Sequence, residues 1–203
     1  MKVVAFNGSP RPKGNTYQAI QTVFRELNQE GIQTELIQVG GHPIRGCLAC
    51  YKCQEKKDRR CIQKDDHLNE YIEKMVEADG IILGSPVYFS DVTPEIKALV
   101  DRAGLVTRMN GDLLKRKVGA AIVSMRRAGG THAFSSLNFF FLIGGMIVPG
   151  SSYWNIIQAR SPEDFVKDSE GRATMQNLGQ NMAWLLKKLA AREKPLSPNP
   201  SAD

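Results

Sequence analysis

Lys2-Val3-Val4-Ala5-Phe6-Asn7-Gly8-Ser9-Pro10-Arg11-Pro12-Lys13-Gly14-Asn15-Thr16 is the stretch that decides the architecture of this chain. Lys2 to Asn7 is short, apolar and bounded by Gly8, so it reads as a buried strand. Asn15 or Thr16 can cap a helix running to about Gln29, with Ile20, Val23, Phe24 and Leu27 on one stripe and Gly31 ending it. The link between them supplies hydroxyls at Ser9 and Thr16, an amide at Asn15 and charges at Arg11 and Lys13. Together with the backbone amides of a helix start, these make an anion site suited to a terminal phosphate ester. The link is not a Gly-x4-Gly-Lys-Ser/Thr loop, and no Gly-x-Gly-x-x-Gly occurs in the chain.

Further along, Gln33 to Val39 alternates like a second strand. A long irregular stretch follows over 40–64. Asp65 or Asp66 can cap a helix to Ala78, and Gly80 to Ser85 is a third strand. Thr93-Pro94-Glu95 starts a helix to about Arg102: a cap, a proline in the first turn, and an acid that suits the dipole. Lys117 to Ser124 reads as a fourth strand, His132 to Gly144 as a helix, and Met146 to Gly150 as a fifth strand. Gly171 to Arg192 is a terminal helix. Strands alternating with helices predict an α/β fold, a doubly wound five-stranded parallel sheet in one domain over 1–193. Residues 40–64 form an insertion in it, and 194–203 a disordered tail rich in Pro and Ser. In such sheets ligands bind at the carboxyl ends of the strands. Three segments leave strands at that edge: 8–16, 85–93 and 124–131.

The 203 residues are 42% hydrophobic, enough for a core without disulfide staples. No apolar run is long enough to span a bilayer, and the first residues lack a signal-peptide pattern, which predicts a cytoplasmic protein. The net charge of +6 is scattered and carries no nucleic-acid motif. Lys56-Lys57-Asp58-Arg59-Arg60 reads as a solvated loop, or as a docking patch for an acidic electron carrier or an anionic cofactor. No Ser-His-Asp or Cys-His arrangement points to hydrolysis.

All four cysteines, Cys47, Cys50, Cys53 and Cys61, lie inside the insertion as Cys-x2-Cys-x2-Cys-x7-Cys. In the cytoplasm such clustering points to metal ligands or redox groups rather than structural disulfides. A [4Fe-4S] cluster needs four thiolates, and a Cys-x2-Cys-x2-Cys run supplies three from one stretch of chain. Zinc, whose structural sites usually show two separated pairs, a thiol–disulfide pair, and no metal at all are the alternatives.

Gly8-Ser9-Pro10-Arg11 through Gly14-Asn15-Thr16 resembles the phosphate loop of the flavodoxin-like NADPH-dependent FMN reductases. Ser85-Pro86-Val87-Tyr88-Phe89 and the helix starting at Thr93-Pro94-Glu95 resemble that family's second flavin loop. With the cysteine insertion after the second strand, the chain is similar to the iron–sulfur flavoproteins in particular. The resemblance implies a flavodoxin-like fold that binds FMN non-covalently. Ser9, Arg11, Asn15 and Thr16 would hold the phosphate, and Lys13 and Gly14 would shape the loop. Pro86, Val87, Tyr88 and Phe89 would line the isoalloxazine. Ser124, Gly129 and Gly130 belong to a third flavin loop, where Arg126 or Arg127 would face the reduced ring. Cys47, Cys50, Cys53 and Cys61 would ligate the cluster. The implied function is electron transfer between flavin and cluster, fed by NAD(P)H or ferredoxin. A homodimer or homotetramer is expected, with Phe139 to Phe141 at an interface or in the core. The rival readings are a cluster-free NAD(P)H-dependent FMN or quinone reductase and a non-enzymatic electron carrier or thiol sensor.

Overall fold

A computed structural model describes residues 1–192; the expected tail at 194–203 lies outside them. Five parallel strands form one sheet: β1 (Lys2–Asn7), β2 (Gln33–Gln38), β3 (Gly80–Pro86), β4 (Val118–Met125) and β5 (Ile156–Gln158), in the order β2-β1-β3-β4-β5. This is the flavodoxin-like doubly wound order, with its switch point between β1 and β3. The helices are α1 (Asn15–Gln29), α2 (Lys52–Lys56), α3 (Leu68–Glu77), α4 (Pro94–Met109), α5 (Gly130–Ile143) and α6 (Ser169–Arg192), with a 3-10 turn over Pro162–Lys167.

The sheet divides two cores, and the strand period of two assigns side chains to each. Val4 and Phe6 face the layer of α3, α4 and α5, where they meet Ile72, Met75, Leu83, Leu99 and Phe141. Val3 and Ala5 face α1 and α6, where they meet Ile20, Leu27, Met175 and Leu178. Both faces are covered, so the central strands β1, β3 and β4 read as largely apolar runs, whereas the edge strand β2 is only half-buried. Each large aliphatic side chain buried this way contributes about 1.5–3 kcal/mol.

The fifth strand is not where the sequence predicts it. Within 146–150 only Ile147 pairs with β4, through Ile147 N–H to Lys117 O at 2.9 Å and Gly119 N–H to Ile147 O at 2.9 Å. Pro149 has no N–H with which to carry the ladder on. The chain loops out and returns as Ile156–Gln158 beside Val123 to Met125. Between the two half-strands the Asn155 amide donates to Ala121 O at 3.0 Å and covers the unpaired gap in β4. Other boundaries shift too. Helix α4 continues seven residues past Arg102, and the cysteine segment holds one short helix, α2, where only loop was expected. The Phe139–Phe141 run divides: Phe140 and Phe141 are core residues, whereas Phe139 points outward with Leu142 and Ile143.

Candidate functional site

The three segments expected at the carboxyl edge meet there. The loop after β1 is held from behind by a polar network. Asn7 accepts Ser9 N–H at 3.1 Å, and its amide donates to Gln38 Oε1 at 2.8 Å. Gln38 in turn donates to Ser9 O and Gly40 O, both at 2.6 Å. Thr93 donates to Gly8 O at 2.9 Å, so the start of α4 also braces the turn. Asn7 and Gln38 hold the loop although neither was singled out in the sequence, and Thr93 was expected only as a helix cap. A polar side chain ending each of two adjacent strands, β1 and β2, was the available signal.

Helix α1 begins with Gly14 at its N-cap, not with a capping Asn15 or Thr16. No side chain caps its first turn, and no acid occupies it. The first N–H groups therefore keep their hydrogen-bonding capacity, and the positive end of the helix dipole faces the loop. Around this point stand Ser9, Asn15 and Thr16. Ser9 and Thr16 are buried, and the Thr16 and Ser124 hydroxyls meet at 2.6 Å. The Asn15 amide donates to Ala159 O at 3.2 Å while its Oδ1 is buried without a partner. Arg11 and Lys13 are exposed at the rim and make no ion pair among the described residues.

The second loop is a tight hairpin. Tyr88 and Asp91 exchange backbone hydrogen bonds at 2.7 and 2.9 Å. Phe89 and Ser90 at its tip both take positive φ, 46° and 66°, in the left-handed region. Pro86 and Val87 are half-buried, Tyr88 is exposed, and Phe89 is fully exposed. Val87 N–H donates to Ser124 O at 2.9 Å, linking this loop to the third. Gly129, at φ 83°, packs so closely that a Cβ would lie 2.8 Å from Ser90 Cα. Gly130 is buried at the start of α5, and Arg126 and Arg127 are exposed. The edge thus combines an uncapped helix end, convergent hydroxyl and amide groups, and a hairpin carrying exposed aromatics.

The cysteine segment lies over α3 and α4. Cys47, Cys50, Cys53 and Cys61 are free thiols and line one pocket, walled by Leu48, Ile62, Leu105 and Val106. Left-handed residues at Ala49 (φ 49°) and Tyr51 (φ 54°) curl the chain between the first three. Ala49 N–H donates to Cys47 Sγ at 3.4 Å, and Arg102 donates to Cys61 Sγ at 3.4 Å. Cys47 and Cys50 are exposed, Cys61 is half-buried, and Cys53 is buried; burial pushes the Cys53 thiol up. Among the described residues no three His, Cys, Asp or Glu side chains form a group that could hold a metal ion. Nor is any described helix long and apolar enough to cross a membrane.

Fold and edge together define a flavodoxin-like mononucleotide-binding protein. The chain belongs to the NADPH-dependent FMN reductase family, whose sequence model matches residues 1–161. It is an FMN-binding oxidoreductase by that membership. It is 37% identical over 194 residues to an iron–sulfur flavoprotein of Methanocaldococcus jannaschii, covering 92% of this chain and 98% of that protein. It is 32% identical over 189 residues to an iron–sulfur flavoprotein of Methanosarcina thermophila, covering 92% and 95%. Among solved structures it is similar to RosB, crystallised with an 8-demethyl-8-formylriboflavin 5'-phosphate intermediate. The TM-score is 0.76 at 20% identity, covering 100% of this chain and 90% of that one.

Proposed function

We propose that this protein passes electrons between FMN at the carboxyl edge of the sheet and a [4Fe-4S] cluster held by Cys47, Cys50, Cys53 and Cys61. When bound, FMN exchanges one or two electrons and the cluster exchanges one, so the pair converts between the two currencies.

The flavin half rests on the residues that fit it. The N–H groups opening α1, with the Ser9 and Thr16 hydroxyls, suit a phosphate ester, and Arg11 and Lys13 at the rim add charge attraction. The buried, unpartnered Asn15 Oδ1 lacks a donor that a ribityl hydroxyl would supply. Lys13 and Gly14 shape this loop. Pro86, Val87, Tyr88 and Phe89 would line the ring, together with Ser124, Arg127, Gly129 and Gly130 of the loop packed beside them. Backbone amides in both loops would set the ring's orientation and exclude water from it.

The observation that carries the cluster half is that four free thiols line a single pocket. A four-iron cluster is larger than one ion, so its thiolates stand around a pocket rather than around a point. N–H donors to Cys47 and Cys61 suit thiolate ligands, and the aliphatic walls suit a centre that must be shielded from water. A two-electron donor such as NAD(P)H, or a one-electron carrier such as ferredoxin, would serve the other side. We place the protein in the cytoplasm as a homodimer or homotetramer. The apolar groove of about 450 Å³ between α4 and α5, edged by exposed Phe139 and Ile143, supports self-association.

A cluster-free NAD(P)H-dependent FMN or quinone reductase is the second reading. It is favoured by the flavin edge, which draws no residue from the segment Gly46 to Gln63. Iron and acid-labile sulfide, measured on anaerobically purified and reconstituted protein beside FMN, test the two. About four irons and four sulfides per chain are expected; FMN without iron would leave the plain reductase.

A further inference from the structure

Arg102 heads the fully buried side chains by size, although it carries a charge. It lies on the third turn of α4, directly beneath the cysteine segment. Its Nη1 donates to Asp66 and, at 3.1 Å, to Arg45 O; its Nη2 lies 3.4 Å from both Cys61 Sγ and Gln63 O. Arg45 stands two residues before Cys47, and Gln63 two residues after Cys61. One guanidinium therefore holds both ends of the cysteine segment. Asp66 completes the knot by accepting Arg45 N–H at 3.0 Å and Leu68 N–H at 3.2 Å. From the other side Asn69 accepts Cys61 N–H at 2.7 Å and donates to Cys61 O at 3.0 Å. Only arginine offers several donors in one rigid plane; a lysine ammonium could not reach these acceptors together.

We propose that Arg102 is the positioning residue of the cysteine site. It closes the segment 45–63 into one arrangement before metal arrives, and it directs a cationic hydrogen-bond donor at the Cys61 sulfur. Loop order set in advance reduces what metal binding must organise. A donor at a ligand sulfur favours the more negative, reduced state of a thiolate-bound centre and raises its potential. The potential half rests on the cluster reading above; the loop-closure half does not.

The test compares wild type with Arg102→Lys and Arg102→Met as full chains. In the metal-free state, trypsin can cut after exposed Lys56, Lys57, Arg59 and Arg60 inside the segment. Both variants should be nicked there at least about tenfold faster than wild type, while holding FMN at wild-type stoichiometry. After anaerobic reconstitution they should retain less iron and sulfide, and the remaining cluster should show a lower midpoint potential, lower in Met than in Lys. A merely structural role would not move that potential. Wild-type nicking rates, or an unchanged potential in both variants, would overturn the proposal. So would loss of FMN in step with loss of loop order, because Arg102 would then be a general scaffold residue. If neither variant accumulates, Asp66→Asn makes the same nicking comparison with the arginine in place: faster cutting supports the tether and unchanged cutting refutes it. If wild type itself takes up no iron, the cluster reading fails, and the nicking rates still judge Arg102.

Discussion

The hydroxyls of Thr16 and Ser124 meet at 2.6 Å and tie the first turn of α1 to the end of β4 across 108 residues of sequence. Both side chains are buried. Removing one hydroxyl leaves the other buried without this partner, which costs about 1–3 kcal/mol. Thr16→Val should lower apoprotein stability in urea by that amount and weaken FMN binding about tenfold in a flavin fluorescence titration. In a double-mutant cycle with Ser124→Ala, the second loss should be much smaller than the first. Additive losses would show that the two hydroxyls act independently.

Gly40 and Gly46 make a contrasting pair. A Cβ on Gly40 would stand 2.3 Å from Gly8 O and 2.4 Å from Ser9 C, so no rotamer change can relieve it. Gly46 has nothing within 4 Å. Gly40→Ala should displace the phosphate loop, cost about 1–3 kcal/mol or more, and reduce FMN content on purification. Gly46→Ala should leave stability within about 0.5 kcal/mol of wild type. Equal thermal melts for the two variants would contradict this.

Asp66 gives the protein a specific acid sensitivity. Burial pushes its carboxyl up, but the Arg102 guanidinium and the Arg45 and Leu68 N–H groups outweigh it and hold the carboxyl below the ordinary carboxylate range. The folded state thus binds this proton less readily than the unfolded chain. The stabilisation is fully present above the unfolded value of about 3.9 and is lost as pH falls through the folded one. Asp66→Asn should be less stable than wild type at pH 7, with the gap narrowing below about pH 4. Urea midpoints across that range check it; a constant gap would assign the acid response to other groups.

Cys47 and Cys50 are exposed, so Cys47→Ser and Cys50→Ser should change metal-free stability by less than about 0.5 kcal/mol. Each should nevertheless lower iron and sulfide content sharply after reconstitution. Full iron content in either variant would remove that cysteine from the proposed ligand set.

The strand–loop–helix opening was readable because β1 is apolar throughout and its loop gathers hydroxyl, amide and cationic groups within nine residues. The parallel order followed from the alternation of strands and helices. The fifth strand was misplaced because Met146 to Val148 is the more apolar stretch, whereas Ile156–Gln158 is only three residues long. Which half carries the ladder depends on Pro149 and on the Asn155 side chain, and neither is a periodic signal. The cysteine spacing was plain. The buried Arg102–Asp66 pair beneath it was not, because Arg102 sits in an amphipathic helix where a charge normally faces water, and its partners lie 36 to 57 residues away. Tyr88 and Phe89 followed the expected loop, but their exposure at a left-handed tip depends on a backbone geometry that neither residue type advertises.

The segment from Gly46 to Gln63 contributes no rung to the sheet, so it is a graft fastened to the helix layer, with Cys53 pressed into the core. Its root is the Arg102–Asp66 pair. Trimming the graft to a short linker would take Gln63 O and the Cys61 sulfur from the guanidinium and leave it Asp66 and Arg45 O alone, so a pruned protein should gain from an aliphatic residue at 102 paired with an uncharged one at 66.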